Sequence, residues 1–571
     1  MKPTTEPTGA KLTLQDVLDR LATAEISETR RRDLRSAVTM YAKLVDKEPA
    51  SIPLDLAELR RVLDRLVPAE AKVSAKRWAN LRSDLAAAID ASGLIAMLRT
   101  AGLPVDPVWE RLLIGMPQRV RAGLSRFARW AGLRRVAPEA VNDEALARFV
   151  AELELSTLVR GLRDLQRQVA QNWNALVERT ADGELSRVTV PSFKPAPTRV
   201  GWDQLAAPFR QDVQDYLAWC AMPDPLDEGA RARALAPRSR ELRRNHIHSA
   251  VTAAVTGGIS ADRLSSLAAL IDTEVVRTIL RHMWKQDGGE LSAYTHGVAG
   301  TLLAIAKKWA RLPADKLEAL KGLRRKLGFL PPGLTAKNET LLRRFDDPRL
   351  LQDLIELPDR LWREARRQPA GSRRAFLLFQ GALALDLLLH APLRMENLSA
   401  LAYDRHLHWP QGQGKPALLV IGADETKNHE KIDFELSATL ADRLWAFRDS
   451  IAPQVIGSKP SRVFVTWTGM PRGQKTLALA IGKIVHRRLG VRLTPHQFRH
   501  LAAKIYLDQN PGGFELVRQL LGHKNQKTTV GAYAGINTKR AGRAHAKLLM
   551  QIREQQLIRP RRVRRKRRVE E

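Results

Sequence analysis

The stretch from Leu493 to Ile536 constrains this chain more than any other part of its sequence. It opens on an apolar helical segment in which His496 and Arg499 are three residues apart, so their side chains share one face. A second apolar segment, Phe514–Leu521, ends at Gly522, which suits the C-cap of a helix. The stretch therefore predicts two consecutive helices, the first of which presents a basic pair.

Further polar groups follow the second helix. His523 lies in a Leu-Gly-His turn, and Tyr533 follows ten residues later, after Thr528 and Thr529. A guanidinium fork binds anionic oxygens in pairs, an imidazole exchanges protons, and a phenol hydroxyl can serve as a nucleophile. Together with the basic pair, these side chains are the ones that a phosphate-handling site requires.

This order of motifs, H-x-x-R followed by L-G-H, T-T and Tyr, resembles the C-terminal signature of the tyrosine recombinases, the phage integrase family. The resemblance implies an upstream arginine, which Arg394 matches at the start of the segment Arg394–Leu401. Asn397 stands where the family usually has a glutamate, and Glu396 is beside it, so either residue is a candidate for the supporting role. An amide can hold a neighbouring group by hydrogen bonds but supplies no charge.

The family resemblance also implies a lysine on a β-hairpin. Two β-rich runs, Ala417–Gly422 and Ile432–Leu436, flank a polar turn and predict a hairpin with a long loop. Lys427 in that loop is the closer match to the family lysine, and Lys431 is the competing candidate. The apolar run Val463–Thr466 predicts another short strand before the H-x-x-R helix.

The resemblance implies a mainly α, multidomain fold in which helical DNA-binding domains precede an α-rich catalytic domain with a small antiparallel β-sheet. It implies a catalytic set with Tyr533 as nucleophile: Arg394, Lys427, His496, Arg499, His523 and Tyr533. No cofactor or metal is expected, because two arginines supply the cationic environment and the sequence has neither a carboxylate cluster for Mg²⁺ nor a Walker loop.

Charge indicates the class of partner. The 571 residues include 94 Lys+Arg against 61 Asp+Glu, a formal net charge of +33. Such an excess exceeds what solubility requires and favours a polyanion, with nucleic acid as the first candidate. The single cysteine, Cys220, excludes an intramolecular disulfide and a cysteine-rich zinc site. With no apolar signal core or run of membrane-spanning length, we expect a cytoplasmic chain with no membrane partner. Heavy use of Ala, Arg and Leu favours a bacterial source, and a DNA partner there would make the chain nucleoid-associated.

A helical pattern occurs three times before residue 330. In each copy a basic amphipathic helix leads, a short helix with a polar cap follows, and a longer helix carries Trp78, Trp173 or Trp309. The helical ranges are Thr29–Tyr41, Leu54–Leu66 and Ser74–Ile89; Gln118–Ala131, Asn142–Leu153 and Leu158–Val177; Arg238–Ala254, Asp272–Met283 and Tyr294–Leu312.

Linkers rich in proline divide the chain further. The predicted organisation is an N-terminal helical domain (1–110), a second helical unit (111–186), a linker (187–202), a core-binding helical domain (203–330), a linker (331–338), a catalytic domain (339–556) and a basic tail (557–571). The third unit, next to the catalytic domain, is similar to the family's core-binding domain. The first two units are candidates for binding further DNA or neighbouring protomers.

Two groups of arginines are candidates for contact with DNA phosphates. The first lies on the leading helix of the third unit, where a solvated helix face is the alternative explanation: Arg238, Arg240, Arg243 and Arg244. The second lies in the tail Arg559–Arg568, with eight basic residues in ten, where a localisation signal is the alternative: Arg561, Arg562, Arg564 and Arg565.

By the resemblance, the expected function is site-specific recombination. DNA would be cut and rejoined through a 3′-phosphotyrosyl intermediate by a homo-tetramer on double-stranded DNA, alone or with related recombinases. Two alternatives stay open. A type IB topoisomerase shares this chemistry, and a DNA-binding partner subunit could have a decayed active site. The Asn397 departure and a His523-to-Tyr533 interval about one residue longer than the common family form keep the second alternative open.

Overall fold

The computed structural model describes residues 12–71, 73–98, 100, 102–180, 183–193, 199–227, 230–330, 333–510, 512–526, 529–531, 533, 546 and 548–551. The predicted basic tail, including Arg561, Arg562, Arg564 and Arg565, lies outside these residues. Phe193–Pro332 forms one compact unit, and Met1–Ser192 together with Gly333–Glu571 forms the other. The described residues are mainly helical with one small antiparallel sheet, which confirms the predicted fold class.

In the N-terminal part of the larger unit, the described secondary structure is helical apart from an isolated bridge between Thr13 and Pro53. Helices α1 to α4 enclose one core, which includes Trp78, and α5 to α8 enclose a second, which includes Trp173. Their bounds are α1 (Leu14–Thr23), α2 (Glu28–Leu44), α3 (Leu56–Arg65), α4 (Ala75–Ala91), α5 (Pro107–Leu113), α6 (Gln118–Leu133), α7 (Asp143–Ser156) and α8 (Leu162–Thr180). Polar caps set several of these starts; the Asp55 carboxylate, for example, accepts the backbone N–H of Ala57 at 2.8 Å.

In the smaller unit, helices α9 to α14 surround a separate hydrophobic core. Asp212 joins its parts, because its carboxylate accepts the backbone N–H of Leu267 at 2.7 Å and the indole N–H of Trp309 at 2.9 Å. The helices are α9 (Ala207–Trp219), α10 (Pro237–Thr256), α11 (Leu267–Leu270), α12 (Thr273–Gln286), α13 (Ala293–Lys308) and α14 (Ala314–Lys326). All nine helical ranges predicted from the threefold pattern contain a helix, but α13 ends at Lys308 and Trp309 is its C-cap residue rather than part of the helix.

The C-terminal part of the larger unit holds further helices and the sheet. Its helices are α15 (Ala336–Arg343), α16 (Pro348–Ile355), α17 (Leu357–Arg366), α18 (Arg373–His390), α19 (Met395–Ala400), α20 (Tyr403–His406), α21 (Ala438–Ala446), α22 (Pro453–Ile456), α23 (Gln474–Leu489), α24 (Pro495–Gln509) and α25 (Phe514–Leu521). The antiparallel strands β1 (Leu407–His408), β2 (Ala417–Ile421) and β3 (Ile432–Leu436) lie in that order. The predicted hairpin is confirmed, with Ala417 paired to Leu436.

Helix α18 is the centre of this part. Every residue from Phe379 to Leu388 is buried, and this run packs within the largest hydrophobic core of the chain. Across the described ranges, no helix combines the length and the apolar character that crossing a bilayer requires. The buried residues of α18 pack against their neighbours in that core.

The prediction of a strand at Val463–Thr466 is wrong. Val463 and Val465 are buried, but the segment forms only isolated bridges at Arg462 and Val465. The buried amide of Gln380 takes the place of a neighbouring strand: it donates to the Val465 carbonyl at 2.9 Å and accepts the Val465 N–H at 3.2 Å. Because one side chain satisfies both backbone groups, the segment stays buried without a β ladder.

Replacing Gln380 with leucine is expected to destabilise this segment by about 2–4 kcal/mol. The leucine fills a similar volume but leaves the Val465 N–H and carbonyl buried without partners. Hydrogen exchange of residues 461–473 by mass spectrometry measures the effect. The control is Gln352→Leu on the exposed face of α16, and equal protection in the two variants would contradict the expectation.

Within the larger unit, the N-terminal part meets the C-terminal part at the end of α23. Gly490 caps α23 in the left-handed conformation, with φ +68°, and a Cβ there would come within 2.9 Å of Glu70 Cγ. His486, one turn earlier, lies 3.9 Å from the Glu70 carboxylate. The contact requires a residue without a side chain at position 490.

Candidate active site

Helix α24 positions the first arginine. Pro495 occupies its first turn, and the Gln497 side chain accepts the backbone N–H of Thr494 at 2.8 Å, so the start of the helix is fixed. Arg499 faces inward and is only 5 % exposed. Its guanidinium donates to the carbonyls of Pro392 and Leu521. Arg499 therefore ties α24 both to the segment before α19 and to the end of α25.

The second arginine converges on the same helix end. Arg394 is the N-cap residue of α19, and its guanidinium donates to the Gly522 carbonyl at 3.4 Å. Gly522 ends α25 in the left-handed conformation, with φ +55°, as its predicted C-cap role requires. The consecutive carbonyls of Leu521 and Gly522 thus receive the two arginines. Both guanidinium groups are fixed by the fold before any ligand binds.

The hairpin loop is fastened at the same place. The Asn428 amide donates to the Gly522 carbonyl at 2.7 Å, and the Asn397 amide donates to the Glu425 carbonyl at 3.0 Å. Asn397 is buried and Glu396 is exposed, so Asn397 performs the holding role that the sequence left open between them. An uncharged amide suffices for this contact because its acceptor is a backbone carbonyl.

Lys427 lies between these two fastening points. Its side chain is exposed and forms no hydrogen bond or ion pair with a described residue. The competing Lys431 is paired with the Asp433 carboxylate at 3.0 Å. A lysine without a competing carboxylate is the better placed of the two to act on a ligand beside Gly522.

His523 is oriented by a buried hydroxyl. Its Nδ1 shares a hydrogen bond of 2.9 Å with Oγ1 of Thr529, a side chain with no exposed surface. This contact leaves Nε2 as the ring nitrogen available to a ligand. His496, by contrast, is an exposed residue in the first turn of α24. Its ring meets the ring of His500 edge-on, with 4.9 Å between centroids.

The tyrosine is enclosed. Tyr533 is 1 % exposed and packs in a small core with Leu507 and Val517. Its hydroxyl shares a hydrogen bond of 2.8 Å with Nδ1 of His500. Burial raises the pKa of Tyr533 to about 12, and the nearby Arg499 acts in the opposite direction.

His500 was not predicted as a site residue from the sequence. This residue lies one turn beyond His496 on α24 and faces the interior side of the site. The signal was present, because residues four apart on a helix share a face and the motif reads H-x-x-R-H. The contact to Tyr533 spans 33 residues and could not be read from that spacing.

The electrostatics of the site are those of a desolvated cationic pocket. Burial, followed by the positive charge of neighbouring groups, lowers the pKa of both His500 and His523 to about 4 and also lowers the pKa of His496. Burial and the nearby Arg394 lower the pKa of Arg499 to about 10. No carboxylate contributes to any of these shifts, so carboxylates of the described residues do not balance the charge. Such a pocket favours an anion.

Residues 360–540 match the phage integrase family. This chain contains a phage integrase domain. The matched range includes Arg394, the hairpin, both helices of the H-x-x-R and L-G-H motifs, and Tyr533. No curated protein matches the chain in sequence.

Solved structures of tyrosine recombinases are similar to parts of the chain. XerH site-specific recombinase bound to its difH substrate in a pre-cleavage complex is 14% identical, over 56% of this chain and 91% of that one, with a TM-score of 0.29. Lambda integrase bound to DNA is 15% identical, over 55% and 91%, with a TM-score of 0.32. XerA recombinase is 13% identical, over 52% and 86%, with a TM-score of 0.23.

The integrase domain brings five of the six predicted catalytic residues to the end of α25 and its surroundings, and it holds the loop of the sixth, Lys427, by the neighbouring Asn428. The predicted DNA-binding arginines of α10 have varied surroundings. Arg238 pairs with Glu241, Arg243 donates to the Tyr216 hydroxyl, and Arg244 lies 5.4 Å above the Trp202 ring, whereas the buried Nε of Arg240 has no hydrogen-bond partner among described residues.

Acid is expected to weaken this part of the fold. The folded pKa of His523 is about 4 and its ordinary value is 6.5, so between these pH values the unfolded chain binds a proton that the folded chain does not. Stability is therefore full above pH 6.5 and falls as the pH is lowered towards 4, by about 2 kcal/mol after solvent screening. Melting temperatures from pH 7.5 to 4.5 should fall less steeply in His523→Asn than in the wild type. A control at the exposed His408, His408→Asn, should follow the wild type, and parallel curves for all three proteins would contradict the assignment.

Proposed function

We propose that this chain is a site-specific DNA recombinase that cuts and rejoins DNA through a 3′-phosphotyrosyl intermediate. The observation that carries the proposal is the convergence of Arg394 and Arg499 on the end of α25, beside a buried tyrosine and without a balancing carboxylate among the described groups. A phosphodiester supplies the missing negative charge. The match of residues 360–540 to the phage integrase family supports the same chemistry.

The arginines bind the scissile phosphate. Their guanidinium groups are held by the carbonyls of Pro392, Leu521 and Gly522, so little reorganisation accompanies phosphate binding. The N–H groups that these bonds leave free donate to the nonbridging oxygens and stabilise the charge of the pentavalent transition state. His523 adds a hydrogen bond from Nε2, because its Nδ1 is bonded to Thr529.

The nucleophile is Tyr533. Its hydroxyl oxygen attacks phosphorus, the bond to the 5′-oxygen breaks, and Lys427 protonates the leaving oxygen; the family resemblance gives the role of proton acceptor to His496. The phosphodiester energy is kept in the phosphotyrosyl bond, so a 5′-hydroxyl can reverse the step on the same or another strand. Because Tyr533 is 1 % exposed in the DNA-free chain, attack requires the cover over its hydroxyl to open to the phosphate.

The partner is double-stranded DNA, and four protomers, alone or with related recombinases, would pair two sites. The positive charge that supports a DNA partner is distributed unevenly along the chain. Residues 333–571 contain 43 Lys+Arg against 22 Asp+Glu, whereas residues 1–192 contain 30 against 25. The greatest excess of basic residues thus lies in the part of the chain that contains the integrase domain. The arginines of α10 and of the tail are the proposed additional phosphate contacts.

Capture of covalent protein–DNA adducts from cells that express the chain, followed by sequencing of the attached DNA, tests the proposal. Adducts at a few sites support recombination. Adducts scattered over the genome favour a relaxing topoisomerase. Intact DNA binding without any adduct would sink the enzymatic assignment and favour the partner subunit with a decayed site.

A further inference from the structure

We infer that His500 accepts the proton of the Tyr533 hydroxyl when that hydroxyl attacks the phosphate. The inference rests on the proposed function. It assigns to His500 the step that the family resemblance gives to His496, and it leaves His496 as a group at the exposed entrance of the site. His500 is a catalytic residue in this scheme because it touches the reacting oxygen.

The geometry carries the inference. Nδ1 of His500 is 2.8 Å from the Tyr533 hydroxyl oxygen, which is the distance at which a proton can be transferred directly. The two rings meet edge to face, with 5.8 Å between centroids. His496 instead contacts the ring of His500, with 4.9 Å between the two centroids. On α24, His496 is therefore the outer imidazole and His500 is the imidazole next to Tyr533.

The charges around His500 keep its ring available. His496 and Arg499 on α24 and His523 after α25 all face it, and with burial they lower its pKa to about 4. At neutral pH the ring is uncharged, so one ring nitrogen is free to take a proton. A bound phosphate brings negative charge to the same groups and makes the imidazole more basic at the moment of attack.

The step balances. The Tyr533 O–H bond breaks and its proton goes to Nδ1 of His500, while the tyrosine oxygen forms a bond to phosphorus. The bond from phosphorus to the 5′-oxygen breaks, and its electron pair stays on that oxygen, which takes a proton from Lys427. Rejoining reverses each transfer, so His500 returns the proton to the tyrosine as the phosphotyrosyl bond breaks.

A DNA duplex with a sulfur leaving group isolates this half of the reaction. The probe is a synthetic duplex with a site sequence recovered by adduct capture and a 5′-bridging phosphorothiolate at the scissile position. A thiolate leaves without protonation, so the rate reports on the tyrosine side alone. Single-turnover adduct formation is compared for the wild type, His500→Gln, His500→Ala, His496→Gln and, as a control, the exposed His408→Gln.

Both His500 variants are expected to slow adduct formation by about 100-fold, and the His496 variant less. Glutamine is the decisive substitution, because its side-chain oxygen can still accept a hydrogen bond from the hydroxyl but cannot take the proton. A His500→Gln protein that reacts at the wild-type rate would mean that His500 only orients the tyrosine, and the inference would be wrong. The inference would also be wrong if the His496 variant were the slower one.

Failure of the proposed function has a different outcome, since the wild type would then form no adduct at all. A measurement on the wild type tests the inference even where a His500 variant does not fold. Nitrogen-15 spectra of histidine-labelled protein at pH 7 should show Nδ1 of His500 without a proton and shifted in Tyr533→Phe. A proton on Nδ1 in the wild type would overturn the inference, because that nitrogen could not accept another.

Discussion

A Tyr533→Phe protein is expected to form no covalent adduct with DNA while it keeps its fold and its DNA binding. The substitution removes one oxygen atom and leaves the ring in the core that contains Leu507 and Val517. The lost hydrogen bond to His500 costs about 1 kcal/mol, which is small beside the stability of a domain. The loss of adducts is complete because the removed atom is the one that bonds to phosphorus.

Adduct capture, melting temperature and DNA binding of the two proteins measure this expectation together. Tyr506→Phe is a matched control, because Tyr506 packs against the same small core but its hydroxyl takes no part in the hydrogen bond to His500. It should form adducts like the wild type. Adducts that persist in Tyr533→Phe would identify another nucleophile and remove the basis of the proposed mechanism.

A Lys427→Ala protein is expected to cleave ordinary DNA about 1,000-fold more slowly and to cleave a 5′-phosphorothiolate duplex almost as fast as the wild type. The reason is that Lys427 protonates the leaving oxygen in the proposed mechanism, and a thiolate needs no proton. The exposed position of Lys427 beside Asn428, which is bonded to Gly522, permits this role.

Single-turnover cleavage of the two duplexes gives the measurement, and Lys431→Ala is the control. Lys431 is paired with Asp433, so its removal should alter neither rate by more than a few-fold. If the thiolate rescued Lys431→Ala instead, the roles of the two lysines would be exchanged. If both lysine variants were slow and the phosphorothiolate duplex restored the rate of neither, another residue would protonate the leaving group.

Local signals in the sequence determined the helices and the hairpin. Apolar residues at helical spacing and polar caps such as Asp55 act over one or two turns, and the alternation in Ile432–Leu436 acts over a single strand. The ordered motifs from Arg394 to Tyr533 also identified the integrase family, because their residue types and intervals are properties of the chain itself.

Tertiary structure decided what these local signals could not. Whether Val463–Thr466 became a strand depended on Gln380, which lies 85 residues away from Val465 and satisfies its backbone groups. Which of two adjacent residues supports the hairpin loop depended on the Glu425 carbonyl, 28 residues from Asn397. In both cases the deciding hydrogen bond joins groups that only the folded core brings together.

The same reason explains why the residue types of the site could be predicted and the contacts among them could not. The sequence alone determined that this chain carries two arginines, several imidazoles and a tyrosine in the order of the integrase family. Only the fold decided that both guanidinium groups rest on the carbonyls at the end of α25, and that His500 is the imidazole against the Tyr533 hydroxyl. Burial and hydrogen-bond partners depend on packing between distant segments, and residue spacing carries no record of them.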